Sequence, residues 1–143
     1  MRILGIDYGD ARTGIAITDL LNITVQGLET IHNNGSDKII LKRLDEILKQ
    51  YEIDTFVIGK PINMDGTSSK RTEITEKFIH KLKCKYNKIK IEVVDERLTT
   101  VAAHKTMNFL DVDKNKKRNI VDTISAVYIL ETYLNKFKNS VEK

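Results

Sequence analysis

Short dense apolar runs dominate the first third of this chain, and apolar residues at helical spacing dominate much of the rest. Ile3, Leu4 and Ile6 form the first run, which stops at the carboxylate of Asp7. Gly9 and Gly14 bracket a turn, and Ile15-Ala16-Ile17 forms the second run, so the pattern predicts a strand, a turn and a strand. The β-branched, partly alternating stretch from Ile23 to Ile31 predicts a third strand completing a meander, ended by Asn33, Asn34 and Gly35. Ser36 is a candidate N-cap for a helix with Ile40, Leu44, Ile47, Leu48 and Tyr51 on one face. Thr55-Phe56-Val57-Ile58 is apolar without alternation, as expected of a strand covered on both faces, and Gly59, Pro61 and Gly66 predict a loop after it.

Thr67, Ser68 and Ser69 are cap candidates for a second helix with the stripe Ile74, Phe78, Ile79 and Leu82. A strand from Ile89 to Val94 follows and runs into Asp95-Glu96. Thr99 or Thr100 caps a short helix through Ala102 and Ala103 to about Leu110, and a basic loop leads to a last helix from about Asn119 to Phe137. Strands first and strand-helix alternation later predict an α/β sheet of mixed sense with helices on both faces. At 143 residues, with no repeat, low-complexity tract or linker, the expectation is one domain over 1–143.

Composition narrows the setting. The lone Cys84 has no intramolecular disulfide partner, and no charged start followed by an apolar run marks a signal peptide, so a cytoplasmic location is expected. No apolar stretch approaches the roughly 20 residues that span a bilayer, which argues against a membrane role. Lysine and arginine exceed acidic residues by 24 to 20, a mild excess that permits a polyanionic partner without demanding one. The densest basic cluster is Lys114, Lys116, Lys117 and Arg118, read equally well as a solvated loop or as a phosphate-contacting one.

Three carboxylates occupy comparable places: Asp7 ending the first strand, Glu96 just after the last strand, and Asp122 in the first turn of the final helix. Parallel strand ends form the ligand crevice of open α/β sheets, so Asp7 and Glu96 converge there if their strands run parallel. Asp122 lies one turn before Ser125 and Ala126, whose small side chains let that helix face approach the sheet closely, and Ile129 and Tyr133 continue the same face. Such a trio suits Mg²⁺ or Mn²⁺, and two ions would support in-line phosphodiester hydrolysis without a Ser, Cys or His nucleophile. His32, His80, His104 and Cys84 fall in no metal-ligand spacing. Taken singly, each acid has a plainer reading: Asp7 as a strand end bonding turn amides, Glu96 as a local ion pair with Arg97, and Asp122 as a helix-start residue favoured by the dipole.

The wording of the motifs adds what position alone does not. Asp7-Tyr8-Gly9-x-x-Arg12-x-Gly14-x-Ala16, Gly59-Lys60-Pro61 with Asp65-Gly66-Thr67, Asp95-Glu96-Arg97-Leu98-Thr99-Thr100, and Asp122 with Ser125-Ala126 follow one another along nearly the whole chain. In this the sequence resembles the YqgF family, also called RuvX. That family belongs to the ribonuclease H-like superfamily and is associated with processing the 5′ end of pre-16S ribosomal RNA and with Holliday junction resolution. Asp-Glu-Arg-Leu-Thr-Thr is the most specific of the motifs. Lys60 stands where the family usually has an apolar residue, and Ser125-Ala126 where two alanines are common.

The resemblance implies a five-stranded mixed sheet of order 3-2-1-4-5 with strand 2 antiparallel, and a divalent-metal site from Asp7, Glu96 and Asp122. It implies that Arg12, Arg97, Lys117 and Arg118 contact the nucleic-acid backbone; Lys60, a departure from the family pattern, either adds a phosphate contact or is simply exposed. The leading functional expectation is a Mg²⁺- or Mn²⁺-dependent endoribonuclease acting on structured RNA, pre-16S rRNA above all, with a ribosomal partner as a further expectation. The alternatives are a resolvase cutting a four-way DNA junction, whose two coordinated cuts favour a dimer, and a non-catalytic nucleic-acid-binding assembly factor.

Overall fold

A computed structural model describes residues 1–61, 69–95 and 123–136. The elements follow the apolar pattern closely: β1 (Arg2–Asp7), β2 (Arg12–Thr18), β3 (Val25–His32), α1 (Asp37–Gln50), β4 (Ile53–Lys60), α2 (Lys70–Lys85) and β5 (Lys90–Asp95). A further helix, α3, covers residues 123–136. The strands form one sheet of order β3-β2-β1-β4-β5, with β2 antiparallel to β1 and β3, and with β4 parallel to β1 and β5. That is the order and sense expected from the resemblance. The short helix expected from Thr99 or Thr100 to Leu110 and the start of the last helix at Asn119 lie outside the described residues.

Alternation along the strands divides the core in two. Leu4 and Ile6 of β1, Tyr8 just after it, Ile15 and Ile17 of β2, and Phe56 and Ile58 of β4 pack on the face covered by Ile40, Leu44 and Ile47 of α1 and by Phe78, Ile79 and Leu82 of α2. Ile3, Ala16, Val57 and Val94 pack on the opposite face against Ala126, Ile129 and Leu130 of α3. Helices therefore cover both faces, and β1 and β4 are apolar on both sides because both sides are covered.

Ser69 closes a capping box with Thr72: each side chain accepts from the other residue's backbone amide, at 3.2 and 3.1 Å. The Thr72 hydroxyl also donates to the Pro61 carbonyl, tying the end of β4 to the start of α2. Ser36 does occupy the N-cap position of α1, but its side chain makes no cap bond. Gly59 belongs to β4 rather than to the loop expected there, because β4 keeps its pairing with β5 as far as Lys60 and Asp95.

Two matching clasps join α1 to α2. Asp37 accepts from the Tyr8 hydroxyl at 2.7 Å and from Lys81 at 2.8 Å; two turns on, Asp45 accepts from the Tyr86 hydroxyl at 2.7 Å and from Lys85 at 2.9 Å. Burial, and then the adjoining carboxylate, push both phenols up from their ordinary range, so each remains a hydrogen-bond donor. No described helix is long and apolar enough to cross a membrane.

Candidate active site

The site begins with Asp7, the last residue of the central strand. It is half-buried and lies on the α3 face, since Gly5 and Ile3 precede it at two-residue intervals. Its antiparallel partner on β2 is Gly14, which in turn pairs with Thr30 on β3. On the other side Ile6 pairs with Ile58, and one more step of the parallel register brings Gly59 beside Asp7, with Val94 next to it on β5. The carboxylate is thus flanked on both neighbouring strands by residues with no side chain. Among the described glycines only Gly35 has a positive φ, so Gly14 and Gly59 are not there for backbone conformation. Their consequence is steric: the two positions directly paired with Asp7, on β2 and on β4, carry no side chain beside it.

The turn carrying Asp7 into β2 is braced by a residue that the sequence marks only as a strand terminator. Asn33, 1% exposed, donates from its side-chain amide to the carbonyls of Gly9 and Asp10, both at 3.0 Å, and accepts from the Thr13 hydroxyl at 3.1 Å. The backbone amides of Asn33 and Asn34 both donate to the Ala11 carbonyl. Gly9 is needed because a Cβ there would lie 2.2 Å from the Arg12 carbonyl oxygen. Tyr8 is anchored on the opposite face by Asp37 and by stacking on Phe78, with ring centroids 4.2 Å apart. Asp7 therefore projects from backbone held on both sides. No local pattern could have marked Asn33, because its burial arises from a turn more than 20 residues earlier.

Replacing Asn33 by leucine removes three hydrogen bonds while keeping the number and branching of side-chain heavy atoms. The stranded groups cost about 1–3 kcal/mol each, so a loss of at least about 3 kcal/mol in total is expected. Thermal melting reads this as a Tm lower by roughly 10 °C, and an unchanged Tm would show the turn to be held without Asn33.

Arg12, half-buried at the start of β2, shares the Asp7 face through Gly14 and Ala16. Lys60 does not. It lies on the α2 face, where its ammonium pairs with Glu76 at 2.6 Å. Asp95 pairs with Lys60 across β4 and β5 and, by alternation from Val94, also lies on the α2 face. Among the described residues no three His, Cys, Asp or Glu side chains gather into a metal-binding group. Glu96, Arg97, Lys117, Arg118 and Asp122 lie outside the described residues. The described part of the site thus contributes one hard oxygen donor, Asp7, of the type that Mg²⁺ and Mn²⁺ prefer, at the end of the central strand.

The close approach of α3 is the second feature of this face. A Cβ on Gly5 would lie 2.6 Å from Leu130 Cγ and 2.9 Å from the Ala126 carbonyl oxygen, and one on Gly27 would lie 3.1 Å from Thr123 Cβ. Ser125 and Ala126 are both buried, as their small size leads one to expect, and Ala126 is the one at the Gly5 contact. The amino-terminal part of α3 is thereby set over β3 and β1, on the face that carries Asp7.

A family model described as RuvX, Holliday junction resolvase, matches residues 1–136. The chain belongs to the RuvX family. Relatives from Ruminiclostridium cellulolyticum and Acetivibrio thermocellus, each named "Putative pre-16S rRNA nuclease", are 54% and 49% identical to it over 138 and 135 residues. The first alignment covers 95% of both chains, and the second covers 94% of this chain and 96% of the relative. Among solved structures, the fowlpox virus Holliday junction resolvase matches with a TM-score of 0.59 at 16% identity, covering 96% of this chain and 99% of that one. Thermus thermophilus RuvC, in complex with Holliday junction substrate, matches with a TM-score of 0.56 at 8% identity, covering 96% of each chain. Likeness at such low identity is likeness of fold, and the RuvX sheet is ribonuclease H-like.

Proposed function

We propose that this RuvX protein is a divalent-metal-dependent endonuclease that hydrolyses phosphodiester bonds in pre-16S rRNA at its 5′ end. The observation that carries the proposal is the placement of Asp7. It ends the central strand between Gly14 and Gly59, in a chain about half identical over nearly its full length to relatives bearing that nuclease name. Asp7, Glu96 and Asp122 are the proposed ligands and catalytic carboxylates. Mg²⁺ or Mn²⁺, two ions in the full site, supplies when bound a water activated at neutral pH and a counter-charge for the leaving oxygen. The carboxylates hold and orient that centre, while the glycines leave the substrate backbone room to approach. Arg12, Arg97, Lys117 and Arg118 are proposed to neutralise flanking phosphates, which sets the register of the substrate without reading its sequence. A cytoplasmic location, where precursor rRNA is made in bacteria, follows from this reading.

The family description favours one second reading, a four-way DNA junction as substrate. Labelled pre-16S RNA and a four-way junction, incubated side by side with Mn²⁺, Mg²⁺ or chelator, separate the two. Metal-dependent cutting of the RNA alone supports the proposal. Symmetrical cutting of the junction alone reverses the ranking. Metal-independent binding of RNA without cutting of either substrate would replace both with a non-catalytic assembly factor.

The basic residues carry a prediction of their own. Arg12→Ala should weaken binding of unrelated RNA sequences alike and reduce the salt slope of log K by about 1, as loss of one phosphate contact does. Lys60→Ala should leave both unchanged, because its ammonium is committed to Glu76 on the other face. Filter binding over a salt series checks both, and a salt-slope change in Lys60→Ala alone would exchange their roles.

A further inference from the structure

The end of the sheet remote from Asp7 carries an apolar display that the nuclease reading does not use. Of the six large hydrophobic side chains exposed among the described residues, four gather where β1 begins and β2 turns into β3: Met1 at 60%, Leu20 at 66%, Leu21 at 75% and Ile23 at 71%. The turn that presents them is fastened from within. The Asp19 carboxylate accepts from the amides of Ile23 and Thr24, at 2.7 and 3.3 Å. Asn22, with a φ of 56°, accepts from the Thr18 hydroxyl at 2.6 Å and donates to the Met1 carbonyl at 3.2 Å. The polar side chains thus secure the backbone while the aliphatic ones point outward, an arrangement that exposes apolar surface in a fixed shape.

Beside this tip lies a groove of about 960 Å³, with Leu21, Ile23, Val25 and Leu134 among its apolar lining and Asp54 and Glu131 as its charged groups. The described lining residues include no lysine or arginine, although the chain as a whole carries a net charge of +4. Of the neighbouring cations, the Arg2 guanidinium lies over the Tyr51 ring, while Lys90 pairs with Glu92 at 3.0 Å and also stands within electrostatic reach of Asp54 and Tyr133 at the groove edge, where Glu92 and Glu131 keep the carboxylates in excess. An apolar trough edged by carboxylates repels a phosphate backbone and suits an aliphatic stripe flanked by positive charge.

We propose that this groove and the Leu20-Leu21-Ile23 tip form a docking site for a basic amphipathic protein segment, one with aliphatic residues on one face and lysine or arginine beside them. Ile3 and Asp7 stand at opposite ends of β1, roughly 13 Å apart along the strand, so a segment docked here leaves the Asp7 end open. The protein would then hold a polyanion at one end of its sheet and a basic partner at the other. This inference stands on surface chemistry and is independent of whether the Asp7 site is catalytic.

The test uses the full-length protein and two synthetic amphipathic helices with the same leucine stripe, one flanked by lysine and the other by glutamate. Methyl NMR should show the lysine helix binding at least about ten-fold more tightly than the glutamate helix, with shifts concentrated at Leu21, Ile23, Val25 and Leu134. The double variant Leu21→Asp, Ile23→Asp should lose that binding while keeping its circular dichroism and its RNA affinity. Equal binding of the two helices, shifts centred elsewhere, or binding retained by the double variant would each overturn the proposal. So would a concentration-dependent dimer that the double variant abolishes, which would make a second copy the occupant, or RNA shifting these same methyls, which would make nucleic acid the occupant.

Discussion

Asp7→Asn should abolish metal-dependent cleavage, lowering the rate by about 10³-fold or more, while leaving the fold in place. Asparagine matches aspartate in size, so the backbone held by Asn33 on one side and by Tyr8, Asp37 and Phe78 on the other has no reason to move. What changes is the donor. A neutral amide oxygen replaces an anionic one at the proposed ligand position, and a hard dication loses the attraction that fixes it against its hydration shell. A loss of roughly 4 kcal/mol in transition-state stabilisation corresponds to that rate change. Single-turnover cleavage with saturating Mn²⁺ measures the loss, and the near-ultraviolet circular dichroism spectrum reports whether the fold is kept. A variant that folds normally and cuts as fast as the wild type would remove Asp7 from the site.

Gly5→Val should be among the most damaging single substitutions in the described core. Any Cβ at this position is driven to 2.6 Å from Leu130 Cγ and 2.9 Å from the Ala126 carbonyl oxygen. The second obstacle is backbone, so relief requires α3 to lift from the sheet. Overpacking of this kind costs about 3 kcal/mol, which for a chain of this size is a Tm lower by roughly 10 °C. Leu130→Ala combined with Gly5→Val should recover part of the loss, because it removes one of the two obstacles, and a double-mutant cycle measures the coupling. Strict additivity would place the damage somewhere other than this contact. The lifted helix also bears on function, since Thr123 at the amino-terminal part of α3 sits over Gly27, directly after the proposed ligand Asp122.

Much of this architecture is legible in the order of the amino acids. The runs Ile3 to Ile6, Ile15 to Ile17 and Thr55 to Ile58 lie within β1, β2 and β4, and the stripe of Ile40, Leu44 and Ile47 supplies the buried residues of α1. Within Ile74, Phe78, Ile79 and Leu82, the last three are buried and Ile74 packs partly, while Thr72 and Thr75 join them unannounced. Threonine gives no apolar signal, yet each hydroxyl has a bond to make: Thr72 at the cap and to Pro61, and Thr75 to the Arg71 carbonyl. Ser125 and Ala126 could be assigned to a buried helix face from their size alone; both are buried, and Gly5 is the position that receives Ala126.

The chain by itself determined the elements, the faces they bury and the family likeness, because hydrophobic period and motif wording are local properties that any short window of residues carries. Tertiary structure alone decided the neighbours. The register of three strands set Gly14 and Gly59 on either side of Asp7, the β1–β2 turn folded back onto Asn33, and α2 brought Glu76 to Lys60. Those pairings join residues from 7 to 52 positions apart. They depend on how twisted strands align and on where helices settle against them, and those long-range choices follow from packing the whole chain at once.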